Sequence, residues 1–160
     1  MILNHAKNTT AAPAAVTTGT AIKTMLQVKP LVPLFIERWW YFFDGSPSDI
    51  KVELIEVDVA ATVTAAVDAD ITRLDRVLDG VASSIFMTLS TTGTGWTSSG
   101  EGTVTVVRNL SGPQVSSNKT FVEPFALGTE PMIQTANFGR IRVTAAAAVN
   151  MLCGMIVRTA

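Results

Sequence analysis

Histidine and cysteine are almost missing from this chain of 160 residues, which holds one of each, His5 and Cys153. A single cysteine excludes an internal disulfide and any zinc site built from several thiolates. A single histidine excludes every catalytic scheme and every metal site that needs two imidazoles. We therefore expect no resident metal ion, no cofactor and no catalytic residues based on histidine.

Charge is also scarce. Charged residues make up 16% of the chain and the net charge is −1, whereas hydrophobic residues make up 48%. Soluble domains usually contain about 25% charged residues. This composition excludes a disordered, strongly solvated chain, and the near-neutral balance gives no electrostatic attraction to nucleic acid. The low charge predicts that part of the surface is buried against other protein subunits.

Long hydrophobic runs and catalytic motifs are absent as well. The most apolar stretch, 141–157, is shorter than the ~20 residues of a spanning helix, and Arg142 and Asn150 interrupt it. We therefore expect no membrane span. The sequence contains no phosphate-binding glycine loop and no nucleophile motif with its supporting residues. A small enzyme acting on glycosides would need two carboxylates in one cleft, and no spacing singles out such a pair. We expect no enzyme.

Short segments with strand-forming residues, separated by turn-forming residues, extend over most of the chain. This pattern predicts an all-β fold, a single-domain antiparallel β-sandwich or barrel of the jelly-roll kind. A helical spacing of apolar residues with Asp70 as N-cap and Gly80 as C-terminal stop predicts one short helix over 70–80. The loop 91–100, rich in threonine, serine and glycine, is expected at a solvent-facing tip. The predicted strands cover 21–29, 34–43, 51–58, 60–67, 84–90, 102–109, 121–125, 132–135, 140–144 and 149–158.

Residues 1–19 show no sustained hydrophobic period and are rich in alanine, threonine and asparagine. We interpret them as an extended N-terminal arm outside the core, and residues 20–160 as the β domain. An arm of this kind can dock on a neighbouring subunit. Its apolar residues Ile2 and Leu3 are therefore candidate contacts with a subunit or a capsid.

The segment 39–43 is aromatic on both faces of its predicted strand. Trp39, Tyr41 and Phe43 alternate with Trp40 and Phe42, so the two sets point in opposite directions. The strand is either covered on both sides within the domain, or one face enters a subunit contact, where tryptophan and tyrosine are enriched. A sugar-stacking platform is a third alternative. We predict Trp39, Trp40, Tyr41 and Phe42 as contact residues.

Arg140 and Arg142 are two residues apart on one predicted strand and therefore share a face. Two arginines can contact nucleic acid, but without a wider basic patch they more often pair with neighbouring carboxylates. Both are candidate residues for a subunit or capsid contact, and no nucleic-acid partner is predicted.

Several short segments from residue 19 onward occur in a distinctive order: 19–24 (GTAIKT), 43–46 (FDGS), 52–54 (VEL), 58–65 (DVAATVTA), 101–103 (EGT), 127–131 (LGTEP), 140–145 (RIRVTA) and 148–150 (AVN). In these segments the chain resembles small virion structural proteins of tailed bacteriophages, especially those of actinobacterial hosts. The resemblance covers most of the chain beyond the arm, although each piece alone is common. It supplies no catalytic residues.

The resemblance implies a capsid decoration or cement protein on the outer surface of the phage head, made in the cytoplasm of the bacterial host. The expected partners are the major capsid protein and copies of the chain itself, in a homo-oligomer. A minor tail protein and a carbohydrate-binding module for the host surface are the alternative functions.

Overall fold

The computed structural model describes residues 2–10, 14–45, 50–74, 83–116 and 120–159, with the backbone alone for 112–116. Two antiparallel sheets pack face to face, and one hydrophobic cluster fills the space between them. The all-β prediction is confirmed, and of its two architectures the sandwich is present and the closed barrel is not.

The strands within the described residues are β1 Leu3–Lys7, β2 Val16–Thr17, β3 Lys23–Val28, β4 Leu34–Asp44, β5 Ile50–Val57, β6 Thr62–Ala65, β7 Thr72–Arg73, β8 Gly95–Gly100, β9 Val106–Ser116, β10 Thr120–Pro124, β11 Met132–Ile133, β12 Phe138–Ala145 and β13 Asn150–Thr159. The first sheet has the order β10-β4-β13-β1-β7, with β11 beside β4 and β2 beside β13. The second sheet has the order β6-β8-β3-β12-β5-β9.

Large side chains of the seven-stranded sheet fill the centre of the core. Trp39, Tyr41 and Phe43 of β4 are almost completely buried, as their alternation predicts. Phe121 of β10 stacks on Tyr41 with ring centroids 5.1 Å apart. The indole N–H of Trp39 is satisfied by the Glu123 carboxylate at 2.6 Å. Aromatic pairs of this kind contribute about 0.5–1.5 kcal/mol each beyond the burial of their area.

Three predictions of local structure are wrong. The strand predicted over 84–90 does not form, because the 3-10 turn Ser83–Ile85 occupies its start and only isolated bridges at Met87 and Leu89 follow. The helix expected over 70–80 does not form in its described part, because Thr72–Arg73 pairs with β1 as strand β7; 75–82 lie outside the described residues. The predicted loop 91–100 contains strand β8, which lies between β3 and β6. Two short 3-10 turns, Asp68–Asp70 and Ser83–Ile85, are the helical elements of the described chain. Neither is long and apolar enough to cross a bilayer.

The N-terminal segment is part of the sheet, so the prediction of an arm outside the core is wrong. Strand β1 lies between β13 and β7, and Asn4 and Ala6 are fully buried. The inward side chains of β1 are small or polar, and for that reason the alternation of Leu3, His5 and Lys7 with them gave no hydrophobic signal. Ile2 donates its backbone N–H to Thr159 Oγ1 at 3.1 Å.

Asn8 extends the pairing of β1 with its side chain. Its amide Nδ2 donates to the Met151 carbonyl at 3.0 Å, and its Oδ1 accepts from the Cys153 N–H at 2.8 Å. Without Asn8, the Met151 carbonyl and the Cys153 N–H of β13 would be buried without a hydrogen-bond partner. Asn4 is equally buried, but neither polar atom of its side chain has a hydrogen-bond partner.

This contrast gives a prediction for two asparagines of the same segment. Asn8→Ala should lower the free energy of unfolding by about 3 kcal/mol, because it leaves a buried N–H and a buried carbonyl unsatisfied. Asn4→Leu, which keeps a similar shape, should leave stability within about 1 kcal/mol of wild type or raise it, since it removes an unpaired polar group. Urea unfolding followed by tryptophan fluorescence measures the stability of both variants. Equal losses of stability would contradict the conclusion that Asn8 is hydrogen-bonded and Asn4 is not.

Candidate functional site

The face of the seven-stranded sheet that points away from the core carries large apolar side chains. Phe42 lies opposite Leu152 and Trp40 lies opposite Val122 in the strand register, so these residues share one face. Phe42 is 40% exposed and Val122 is 53% exposed. We call Trp40, Phe42, Val122, Leu152 and Ile156 the outer apolar face.

An apolar groove of about 360 Å³ continues the outer apolar face at the end of β4 nearer Leu34, and its lining includes Leu3, Arg38, Pro124, Phe125, Leu127 and Ile156. Leu127 is 88% exposed at the tip of a turn in which the Thr129 N–H binds the Ala126 carbonyl. Gly128 has a φ of +88°, which favours glycine at this turn. Contiguous apolar surface of this kind is typical of interaction sites rather than of monomer surfaces.

The predicted contact residues are divided between the two sides of the sheet. Trp40, Phe42 and Leu3 lie on the outer side, as the alternation requires. Trp39 and Tyr41 are 0% and 1% exposed, so their prediction as contact residues is wrong, because they fill the core. Of the alternatives for the aromatic segment, cover on both sides within the domain does not hold for Phe42, which is 40% exposed.

Trp40 is held in place by the two neighbouring strands. Its indole ring lies across Gly154, where an added Cβ would stand 2.8 Å from Cζ2 of the ring. The ring reaches β1 and donates its N–H to His5 Nε2 at 3.0 Å. Glycine at 154 therefore allows the close approach, and the imidazole must be neutral with its proton on Nδ1 in order to accept.

Burial lowers the pKa of His5, and the positive charge of Lys7 on the same strand lowers this pKa further. The unfolded chain therefore takes up the histidine proton more readily than the folded chain. The contribution of neutral His5 to the free energy of unfolding is complete above the ordinary pKa of 6.5. It is lost as the pH falls through the lowered pKa of the folded protein.

We expect the free energy of unfolding of the wild type to fall more steeply than that of His5→Gln between neutral and mildly acidic pH. The glutamine carbonyl can still accept the Trp40 N–H, but it does not titrate. Urea unfolding of both proteins at a series of pH values measures the difference. The same pH dependence in both would show that His5 does not titrate in this way.

Charged residues lie at both ends of the outer apolar face. Arg38 and Asp44, both on β4, are exposed and have no ion-pair partner among the residues described here. Arg158, in contrast, binds both Glu37 and Glu130. Its guanidinium also lies over the Phe35 ring, 4.4 Å from the centroid.

Arg140 and Arg142 lie on the other sheet. Arg140 is fully buried and donates Nε to Gln27 Oε1 at 2.8 Å, and its remaining nitrogens bind the Val59 carbonyl and Glu101. Burial lowers its pKa to about 10, so it stays cationic at neutral pH, and the Glu101 charge opposes the shift. Arg140 has no exposed surface for a partner, so its prediction as a contact residue is wrong.

Arg142 binds the Glu53 carboxylate through Nε at 3.0 Å and Nη2 at 2.8 Å. The alternative interpretation of the two arginines, pairing with neighbouring carboxylates, is confirmed for both. Together they stabilise the outer surface of the six-stranded sheet.

The two arginines provide a matched pair of variants. Arg140→Leu should lower the free energy of unfolding by about 3 kcal/mol, because Gln27 and Glu101 lose a buried cationic donor. Arg142→Leu should cost about 1 kcal/mol, since Glu53 keeps its ion pair with Lys51 at 2.5 Å. Chemical unfolding of the two variants tests the order, and a larger loss for Arg142→Leu would contradict it.

The cysteine thiol is buried, and the carboxylate of a polar cleft is engaged in hydrogen bonds. Burial raises the pKa of the Cys153 thiol well above its usual range. A polar cleft of about 410 Å³ lies between 18–23 and 98–101. Its carboxylate, Glu101, accepts from Thr24 Oγ1 at 2.6 Å and pairs with Arg140. Among the described residues, no three histidine, cysteine, aspartate or glutamate side chains are grouped to hold a metal ion.

Sequence reasoning missed Val122, Leu152 and Ile156, which complete the outer apolar face. Their signal is the alternation within β10 and β13, where Phe121 and Cys153 face inward.

Comparisons with family models, with curated proteins and with solved structures found no match for this chain.

Proposed function

We propose that this chain is a non-enzymatic virion structural protein, a decoration or cement protein that attaches to the outside of a bacteriophage head. The observation that carries the proposal is the outer apolar face, on which Phe42 and Val122 are about half exposed beside the partly buried Trp40. Large aromatic side chains at the centre of an apolar surface are typical of protein interfaces. This face therefore makes a subunit contact in the particle.

The location on the head rests on the resemblance of segments between residues 19 and 150 to phage structural proteins. The major capsid protein is accordingly the proposed shell partner, and the capsid surface is the proposed location after synthesis in the host cytoplasm. Many copies on a symmetric shell convert modest contacts into durable attachment. The mechanism is mechanical, because such contacts hold shell subunits together.

The neighbours of the exposed aromatic residues favour a protein partner over a sugar. Phe42 lies between Leu152 and Thr120 in the register, and Trp40 lies beside Val122. The indole N–H of Trp40 is already bound to His5. A sugar platform surrounds an exposed aromatic ring with free polar groups, whereas of the four cross-strand neighbours of Phe42 and Trp40 only Thr120 is polar.

Quantitative mass spectrometry and cryo-electron microscopy of purified particles test the proposal. We expect the chain in many copies, in a fixed ratio to the major capsid protein, on the outside of the head. A chain that is missing from purified particles, or present only at the tail, would contradict the proposal.

A matched pair of variants tests the face. Val122→Glu should abolish rebinding to shells that have been stripped of the protein, because it places a charge in the apolar contact, whether the contact is with the shell or with a neighbouring copy. Thr144→Glu, at an exposed position on the six-stranded sheet, should rebind like the wild type. Equal rebinding of both variants would show that the outer apolar face does not take part in the contact.

A further inference from the structure

The charges of the outer apolar face are arranged symmetrically along one strand. Arg38 and Asp44 are six residues apart on β4, and Trp40 and Phe42 lie between them on the same side. At about 3.3 Å per residue the two charges are about 20 Å apart along the strand. They are therefore too distant to pair with each other within one chain.

The surface between these two charges has opposite charges at its two ends, so it is complementary to a second copy in reversed orientation. In a two-fold contact each surface meets an identical one, so it must carry both members of every pair. A two-fold axis that lies between the two copies, parallel to the sheet and perpendicular to β4, brings the two outer apolar faces together and reverses the strand direction. An axis at the level of Tyr41 places Arg38 opposite Asp44 of the second copy, and Phe42 opposite Trp40 of the second copy.

We infer that a second copy of this chain covers the outer apolar face, through a two-fold contact in which Arg38 of each copy pairs with Asp44 of the other. The inference rests on the proposed function only in assigning this face to a protein contact. The contact buries Phe42, Val122 and Leu152 of both copies at once.

The opposite charges give this contact a specific signature. Each dimer contains the Arg38–Asp44 pair twice, so a single charge reversal creates two like-charge pairs. Reversing both residues in the same chain restores two opposite-charge pairs with their direction exchanged. A hydrophobic contact with a different axis would respond to each reversal separately and would not recover.

Sedimentation equilibrium of the purified chain at low ionic strength tests the inference. We expect a wild-type dimer, and we expect Arg38→Asp and Asp44→Arg each to weaken it by at least about tenfold, since like charges would face each other. The double variant Arg38→Asp/Asp44→Arg should dimerise within about threefold of wild type, because the pair couples. Lys23→Asp, the same charge change on the six-stranded sheet, should dimerise like the wild type.

Four outcomes would overturn the inference: a monomeric wild type, a double variant no stronger than the single ones, a dimer that Phe42→Ser leaves intact, or a dimer that Lys23→Asp weakens as much as Arg38→Asp does. Circular dichroism and thermal unfolding of each variant establish that it is folded.

The proposed function fails separately. A dimer that does not bind stripped shells contradicts the function alone, and a monomer that binds them contradicts the inference alone.

Discussion

Strand β4 carries large aromatic side chains on both of its faces, and a sandwich of two sheets can cover only one of them. The inner set, Trp39, Tyr41 and Phe43, is packed against Phe121 and the opposite sheet. Within the part of the chain that the structure describes, the outer set, Trp40 and Phe42, has only the neighbouring strands beside it. The same alternation that builds the core therefore leaves apolar surface in solvent, and surface of this kind is typical of interaction sites.

Alternation and turn chemistry are local, and for that reason the sequence predicts the all-β class and most strands. Strand β1 was missed because Asn4 and Ala6, which face the core, are not large apolar residues. Its partner β13 begins at residue 150, so the pairing that buries β1 has no local signal. Apolar spacing with Asp70 as N-cap and Gly80 as stop predicts the helix over 70–80, but the pairing of Thr72–Arg73 with β1 outweighs that weak local preference.

The candidate site was predictable only in part, for the same reason. The outward direction of Trp40 and Phe42 follows from the sequence, but Val122 and Leu152 join them through a register between strands far apart in the chain. The burial of Arg140 could not be predicted either. It depends on Gln27, Glu101 and the Val59 carbonyl, which come from three separate elements.

The two outer surfaces of the sandwich differ in a way that argues for function rather than for imperfect packing. On the six-stranded sheet, Ala60 and Val104 cover the cluster of Ile55, Val57 and Phe138, and loop groups satisfy Arg140. On the seven-stranded sheet, no described loop covers Phe42 or Val122. These loops cover only part of the six-stranded sheet, since Val106 and Val107 of its edge strand β9 are about half exposed, but the exposed aromatic ring, Phe42, lies on the seven-stranded sheet. The exposure of Phe42 is the feature on which the proposed contact depends.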